Sequence, residues 1–380
     1  MRKSFIVVGV MIFALVGYLA FTVVDGKTPV ATAGKKTYSG TVYVAGMGGH
    51  FAKADITIDP NNADNPIKVA GLDRVVIGDK NTHPTHDARI DVNDPNIMFW
   101  STYKIDPNGK QHVGKTDLRT GNVIKDVAMD PDPRSTGGEK KMPLYCASGQ
   151  TKKYFMPVFM GNEAYVDVFD KATLEHKHRV FISDLGYKSG TYVFLHGINS
   201  NDMKKFLLTV VMKGEDGKAN GKVDFILVDM AALEKGKFKE LARATHTGVP
   251  GKTITFREFF SHDDKLIFQS AGDRLWVLDG KTLKMVDEKT NIGGENHDAM
   301  PTPDSKYVVM TLRTSDVDGY DGEGKPIPGK KITDGTLQLY DVEAKKVVGK
   351  TSSVCFACHK GMGLGDKSSI LCGLDGVYKK

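Results

Sequence analysis

The residue pair with the clearest chemistry is near the end of the chain, in SVCFACHKGMG. Cys355 and Cys358, three apart and followed at once by His359, have the C-x-x-C-H spacing of covalent haem attachment. In that chemistry the two thiols form thioethers with the vinyl groups of haem c, and His359 is delivered to the iron as proximal ligand. The rival reading is a redox C-x-x-C pair, but no thioredoxin-like βαβ pattern surrounds it. On a helix Met362 would share the His359 side of the porphyrin. The other iron position then falls to His112, His176 or His178, to a partner chain, or to substrate. Only 21 residues follow His359, and their apolar side chains are too few to enclose a haem, so shelter has to come from another part of the fold.

A second constellation is spread through the chain. In HDARIDVNDP, HGINSNDMKK and HDAMPTPDSK, the histidines His86, His196 and His297 stand eight, six and seven residues before Asp94, Asp202 and Asp304. His50, in GMGGHFAK, is a fourth candidate. Imidazoles that converge in a sheltered polar cavity suit a transition metal, with copper or zinc fitting nitrogen donors best. The plainer reading is that each histidine caps a turn or bonds a neighbouring carbonyl. Other units hold Tyr145 and Arg257 near the equivalent place, with His262 falling late. Arg257 with nearby lysines would alternatively make an anion site.

Something must bring these distant residues together, and the repeat in the chain supplies it. Short runs rich in β-branched and aromatic residues, such as NIMFWSTY, AYVDVFD, KFLLTVVM and RLWVLD, fill residues 37–350 and read as strands. The best helix candidate is MAALEKGKFKELARA, which its glycine weakens. Strand, aspartate and turn recur at Asp59, Asp117, Asp170, Asp229, Asp279 and Asp341, at intervals of 50 to 62 residues. A period of that size with about four strands per unit predicts an all-β fold, a β-propeller. Six units are visible, and strands from the two chain ends would complete a seventh. The expected organisation is 1–33 signal peptide or membrane anchor, 34–350 propeller, and 351–380 a short haem-attachment tail.

The recurring phrase resembles the YVTN-type β-propeller repeat over about 310 residues. With histidines on its axis, the chain resembles nitrous oxide reductase and the thiocyanate dehydrogenase-like propeller oxidoreductases. That resemblance implies a multicopper centre held by axial histidines, here His86, His196 and His297 with His50 as a fourth. No cupredoxin domain is present, in contrast to nitrous oxide reductase.

Composition bounds the rest. Fifty-two basic and 46 acidic residues give a formal charge of +6 with no block of five like charges, which argues against nucleic acid and is compatible with an acidic redox partner or a membrane surface. After MRKS, residues 5–24 carry no charge, a run long enough to span a bilayer and preceded by positive residues. This predicts an extracytoplasmic, periplasmic protein, anchored to the inner membrane or released by cleavage after Ala33. Cys146 and Cys372 remain, as a disulfide in that oxidising compartment or as two separate thiols. The sequence therefore points to an exported c-type cytochrome propeller. It would be an oxidoreductase coupling haem to a histidine-bound copper and acting on a small inorganic or anionic substrate with a redox partner protein; the alternative is an electron-transfer relay without catalysis of its own.

Overall fold

The computed structural model describes residues 34–46, 48–136, 145–320, 326–354 and 372–379, the side chains of Leu72, 314–334, Ser353 and Cys372 excepted. The expected signal or anchor over 1–33 lies outside these residues, as do Cys355, Cys358, His359 and Met362.

Six four-stranded antiparallel sheets make up the described chain. The first contains β1 (Tyr38–Gly46), β2 (His50–Ile58) and β3 (Ile67–Val76). The second runs through β4 (Arg89–Ile90), β5 (Ile97–Ser101), β6 (Gln111–Asp117) and β7 (Val123–Met129), and the third through β8 (Tyr145–Gln150), β9 (Tyr154–Phe159), β10 (Tyr165–Asp170) and β11 (His176–Phe181). The fourth holds β12 (Tyr192–Asn199), β13 (Lys205–Lys213), β14 (Ala219–Asp229) and β15 (Glu240–Thr247), and the fifth β16 (Glu258–Phe260), β17 (Leu266–Ser270), β18 (Arg274–Asp279) and β19 (Met285–Thr290). The sixth is β20 (Glu295–Pro301), β21 (Tyr307–Tyr320), β22 (Pro326–Asp341) and β23 (Lys346–Ser353), and the chain ends in β24 (Cys372–Tyr378).

The opening strands of neighbouring sheets touch one another: β8 with β12, β12 with β16, β16 with β20, β20 with β24, and β24 with β4. The outermost strands β7, β15 and β19 consist only of exposed and half-buried residues. The molecule is thus a six-bladed β-propeller with six strands around its axis. A seventh blade does not form, because the two chain ends complete the first blade instead: β24 pairs antiparallel with β1, Gly40 opposite Tyr378. The boundary expected at residue 350 moves accordingly, with β23 reaching Ser353 and the last strand of the chain lying inside the propeller.

Each of the six repeated aspartates ends the third strand from the axis and accepts backbone N–H groups of the turn that follows. Asp59 takes Asn61, Asp117 takes Arg119, Asp170 takes Ala172 and Thr173, Asp229 takes Ala232, Asp279 takes Lys281 and Thr282, and Asp341 takes Ala344. A short carboxylate that bonds its own turn two or three residues on fixes the reversal. Apolar layers between blades form the core. Met156, Val158 and Val166 of the third blade pack with Phe206, Leu208 and Val210 of the fourth, and Phe268 and Val277 of the fifth with Val308 and Met310 of the sixth. The helix expected from MAALEKGKFKELARA is a single turn, Met230–Leu233. Gly236 at φ 73° breaks it, and ELARATHT continues as the exposed outer strand β15.

Candidate functional site

The innermost strands carry irregularities at one end of the channel. In β8 the register with β9 shifts between Tyr145 and Ala147, leaving Cys146 as the extra residue. In β20 it shifts between Asn296 and Asp298, leaving His297. In β24 the extra residue is Gly373. In the second blade, an extra residue falls between the Thr85–Thr102 bridge and the Arg89–Phe99 pair, over His86 to Ala88. Bulges of this kind re-aim side chains out of the regular alternation. Here they turn successive residues of neighbouring blades toward one region.

His86, His196 and His297 are all buried there. His86 stacks on Tyr103, ring centroids 3.5 Å apart, and its Nδ1 lies 3.5 Å from Cys146 Sγ. His297 stacks on Phe256 at 3.9 Å, and His196 meets the same phenylalanine edge-on at 6.1 Å. His86 precedes β4, whereas His196 and His297 lie within β12 and β20. His196 also sits one step nearer the first hairpin than the others, in register with Asp87 and Asp298 rather than with His86. His50 opens β2, two strands further from the axis, and approaches Gly46.

Beneath the imidazoles is a layer of buried charge. Arg257 Nη2 is 3.1 Å from Asp87 Oδ1 and its Nη1 is 3.5 Å from Asp298 Oδ1. The same guanidinium donates to the Ala88 carbonyl at 3.2 Å. Arg89 Nη1 lies 3.7 Å from Asp375 Oδ2, and its Nε donates to Ser148 Oγ at 3.4 Å. Glu258 is buried beside them. Burial pushes the Glu258 carboxyl well above its usual range and also raises Asp87 and Asp375, with Arg257 and Arg89 opposing. The arginines are engaged by carboxylates, so the anion site expected at Arg257 does not form.

Burial holds the His86 imidazole below its ordinary range; Cys146 opposes, and the charges of His297 and His196 add to the depression. A neutral imidazole has a lone pair to give. Among the described residues, His86 Nε2 and both ring nitrogens of His196 have no hydrogen-bond partner. These orphaned donors fit a metal ligand in type. In spacing they do not close a site, since no three of the axial donors stand within 4.8 Å of one another, whereas a tetrahedral ion with bonds near 2 Å needs its donors about 3.5 Å apart.

The C-x-x-C-H motif belongs to the connection between β23 and β24. Val354 on one flank is buried and donates its N–H to the Gly335 carbonyl at 3.1 Å, at the end of the sixth blade where Glu295 and His297 begin β20. On the other flank, Gly373 and Leu374 donate their N–H groups to Asp298 Oδ1 at 3.2 and 3.0 Å. Both described flanks therefore lie at the histidine end of the channel. The remaining distal-ligand candidates are elsewhere: His112 bonds Asp126, His176 bonds Asp167, and His178 packs beneath Gly236.

Of these residues, the sequence marked His86, His196, His297 and Arg257. It missed Asp87, Asp298 and Cys146 as parts of one site. The repeated tripeptide His-Asp-Ala at 86–88 and 297–299 was the signal for the first two. Cys146 had none, because its place depends on a bulge.

No family model matches the chain, and no curated protein matches it. A solved structure of Kuenenia stuttgartiensis hydrazine synthase is similar over 71% of this chain and 65% of that one, at 15% identity and a TM-score of 0.44. This chain thus spans less than two thirds of that relative.

Proposed function

We propose that this protein is an exported c-type cytochrome built on a six-bladed propeller, in which haem c on Cys355 and Cys358, with His359 as axial ligand, exchanges electrons at the histidine end of the channel. What carries the reading is that both described flanks of the C-x-x-C-H connection are bound at that end, through Val354 to Gly335 and through Gly373 and Leu374 to Asp298. A short connection anchored on both sides gives the haem the shelter that the terminal residues alone lack. The chain's own groups provide a floor of buried imidazoles over the Arg257, Asp87 and Asp298 charge layer, against which a polar substrate is oriented. The haem supplies the one-electron chemistry. Export, by cleavage or by an inner-membrane anchor over residues 5–24, belongs to the same proposal, because the attachment machinery works outside the cytoplasm.

Copper held by His86, His196 and His297, with His50, is the finer form of the proposal and makes the protein an oxidoreductase. A relay that only passes electrons to a partner is the second reading, and the donor spacing favours it. Expression in a host with haem-maturation machinery tests both. Haem should stay bound after denaturation in acid acetone and be lost from Cys355→Ala with Cys358→Ala; haem that extracts freely from the native protein would sink the cytochrome reading. Copper near one per haem, lost in His86→Ala with His297→Ala, selects the enzyme, and iron alone selects the relay.

A further inference from the structure

The described residues bring together one group of three metal-ligating side chains, and it is not on the axis. We propose that His83, His112 and Asp126 form a binding site for a divalent transition-metal ion, zinc or ferrous iron in chemical class, on the outer strands of the second blade. His112 lies on β6, Asp126 on β7, and His83 in the loop leading to β4. Their donor atoms all lie within 4.8 Å of one another. His83 Nε2 is 3.0 Å from Asp126 Oδ2, and His112 Nδ1 is 2.9 Å from Asp126 Oδ1.

What makes this more than a hydrogen-bonded strut is the treatment of the other two ring nitrogens. His83 Nδ1 meets Thr82 Oγ1 at 2.8 Å, and His112 Nε2 faces Asp106 Oδ2 at 3.5 Å. Asp106 is itself fixed, its Oδ1 accepting from the Asn108 and Lys110 N–H groups at 2.9 and 2.7 Å. For His83, an outer oxygen at the far nitrogen leaves the near lone pair to a metal that replaces the proton now shared with Asp126, the arrangement found behind metal-bound histidines; at His112 the Asp106 carboxylate lies nearby without hydrogen-bonding geometry. The two rings stand 4.6 Å apart, tilted by 53°, with His83 braced edge-on against Trp100 at 5.5 Å. Space for His83 is kept by Gly78, where a Cβ would come 2.1 Å from Nδ1.

Two imidazoles and one carboxylate suit zinc or ferrous iron and leave positions for water or another ligand. Calcium and magnesium would demand more oxygen donors. The Asp126 side chain is 30% exposed, which opens the site to solvent while His112 is buried.

Titration of the metal-stripped full chain with zinc, followed by calorimetry, tests this. We expect one zinc per chain in addition to any axial metal, retained in His86→Ala with His297→Ala, and a tetrahedral visible spectrum when cobalt(II) replaces zinc. Asp126→Asn and His83→Gln should abolish binding with the circular dichroism unchanged. Asp106→Asn should weaken it by about tenfold, a change that a strut without metal would not produce. Absence of micromolar zinc binding, or binding that these variants leave intact, would overturn the proposal. Should Asp126→Asn fail to fold, His112→Gln carries the same test.

Discussion

Arg257 Nη2 reaches 3.1 Å from Asp87 Oδ1 across the channel, tying the start of the fifth blade to the second. With Asp298 on its other nitrogen, this guanidinium is the centre of a fully buried charge layer. Ions so placed have lost their hydration, and removing one partner leaves the others uncompensated. Arg257→Met is therefore expected to destabilise the protein by about 3–5 kcal/mol, read as a fall in the urea midpoint. Adding Asp87→Asn to that variant should recover part of the loss, and a double variant as unstable as the sum of the singles would refute the coupling.

Gly373 is the bulged residue of β24 at φ 84°, and a Cβ there would lie 2.4 Å from both Arg257 Nη1 and the His86 carbonyl. Gly373→Ala should cost several kcal/mol, since left-handed strain adds to a clash with fixed groups. Gly109, at φ 80° with open space for 4 Å around the place a Cβ would take, gives the control: Gly109→Ala should cost only about 1 kcal/mol. Equal thermal shifts for the two variants would show that close approach is unimportant.

Deleting residues 372–380 removes the axial strand of the first blade and uncovers the edge of β1. It also strips the Gly373 and Leu374 N–H groups from buried Asp298. The truncated chain should lose its cooperative thermal transition and aggregate through the exposed edge. A soluble truncated protein with an unchanged melting curve would contradict the closure.

Two of the repeated turn aspartates make a signed prediction about pH. The backbone N–H of Thr173 holds the Asp170 carboxyl below its usual range, and that of Thr282 does so for Asp279. Their folded values are depressed, so the stability they add is complete above the unfolded value of about 4 and lost as pH falls below it. The buried carboxyls of Asp87, Asp375 and Glu258 are raised and act in the opposite sense, so the comparison must be made against a variant. Between pH 5 and pH 3, wild type should lose more stability than Asp279→Asn, measured by urea unfolding at each pH. Parallel pH profiles would remove the turn carboxylate as the cause.

The architecture was legible because each blade repeats the same local instruction: a strand ending in an aspartate that bonds its own turn. All six of those aspartates occupy that place. Blade number was less legible, because the closing strand follows the C-x-x-C-H motif and looks like a tail. The histidine trio was readable from spacing, and the structure buries all three side chains. Its fine geometry was not, since a single extra residue decides whether Cys146 or His297 turns toward its neighbours. The cluster at His83, His112 and Asp126 gave no spacing signal, because its members come from a loop and two outer strands that only register brings into contact.

The pairing of Gly40 with Tyr378 also has a meaning in time. The first blade to be synthesised is the last to be completed, since its axial strand β24 follows every other strand of the propeller in sequence. Until β24 arrives, β1 offers an open row of backbone donors and acceptors, and the ring cannot shut. Sequence separation this long slows folding, so the nascent propeller spends its most vulnerable interval waiting for its closing strand.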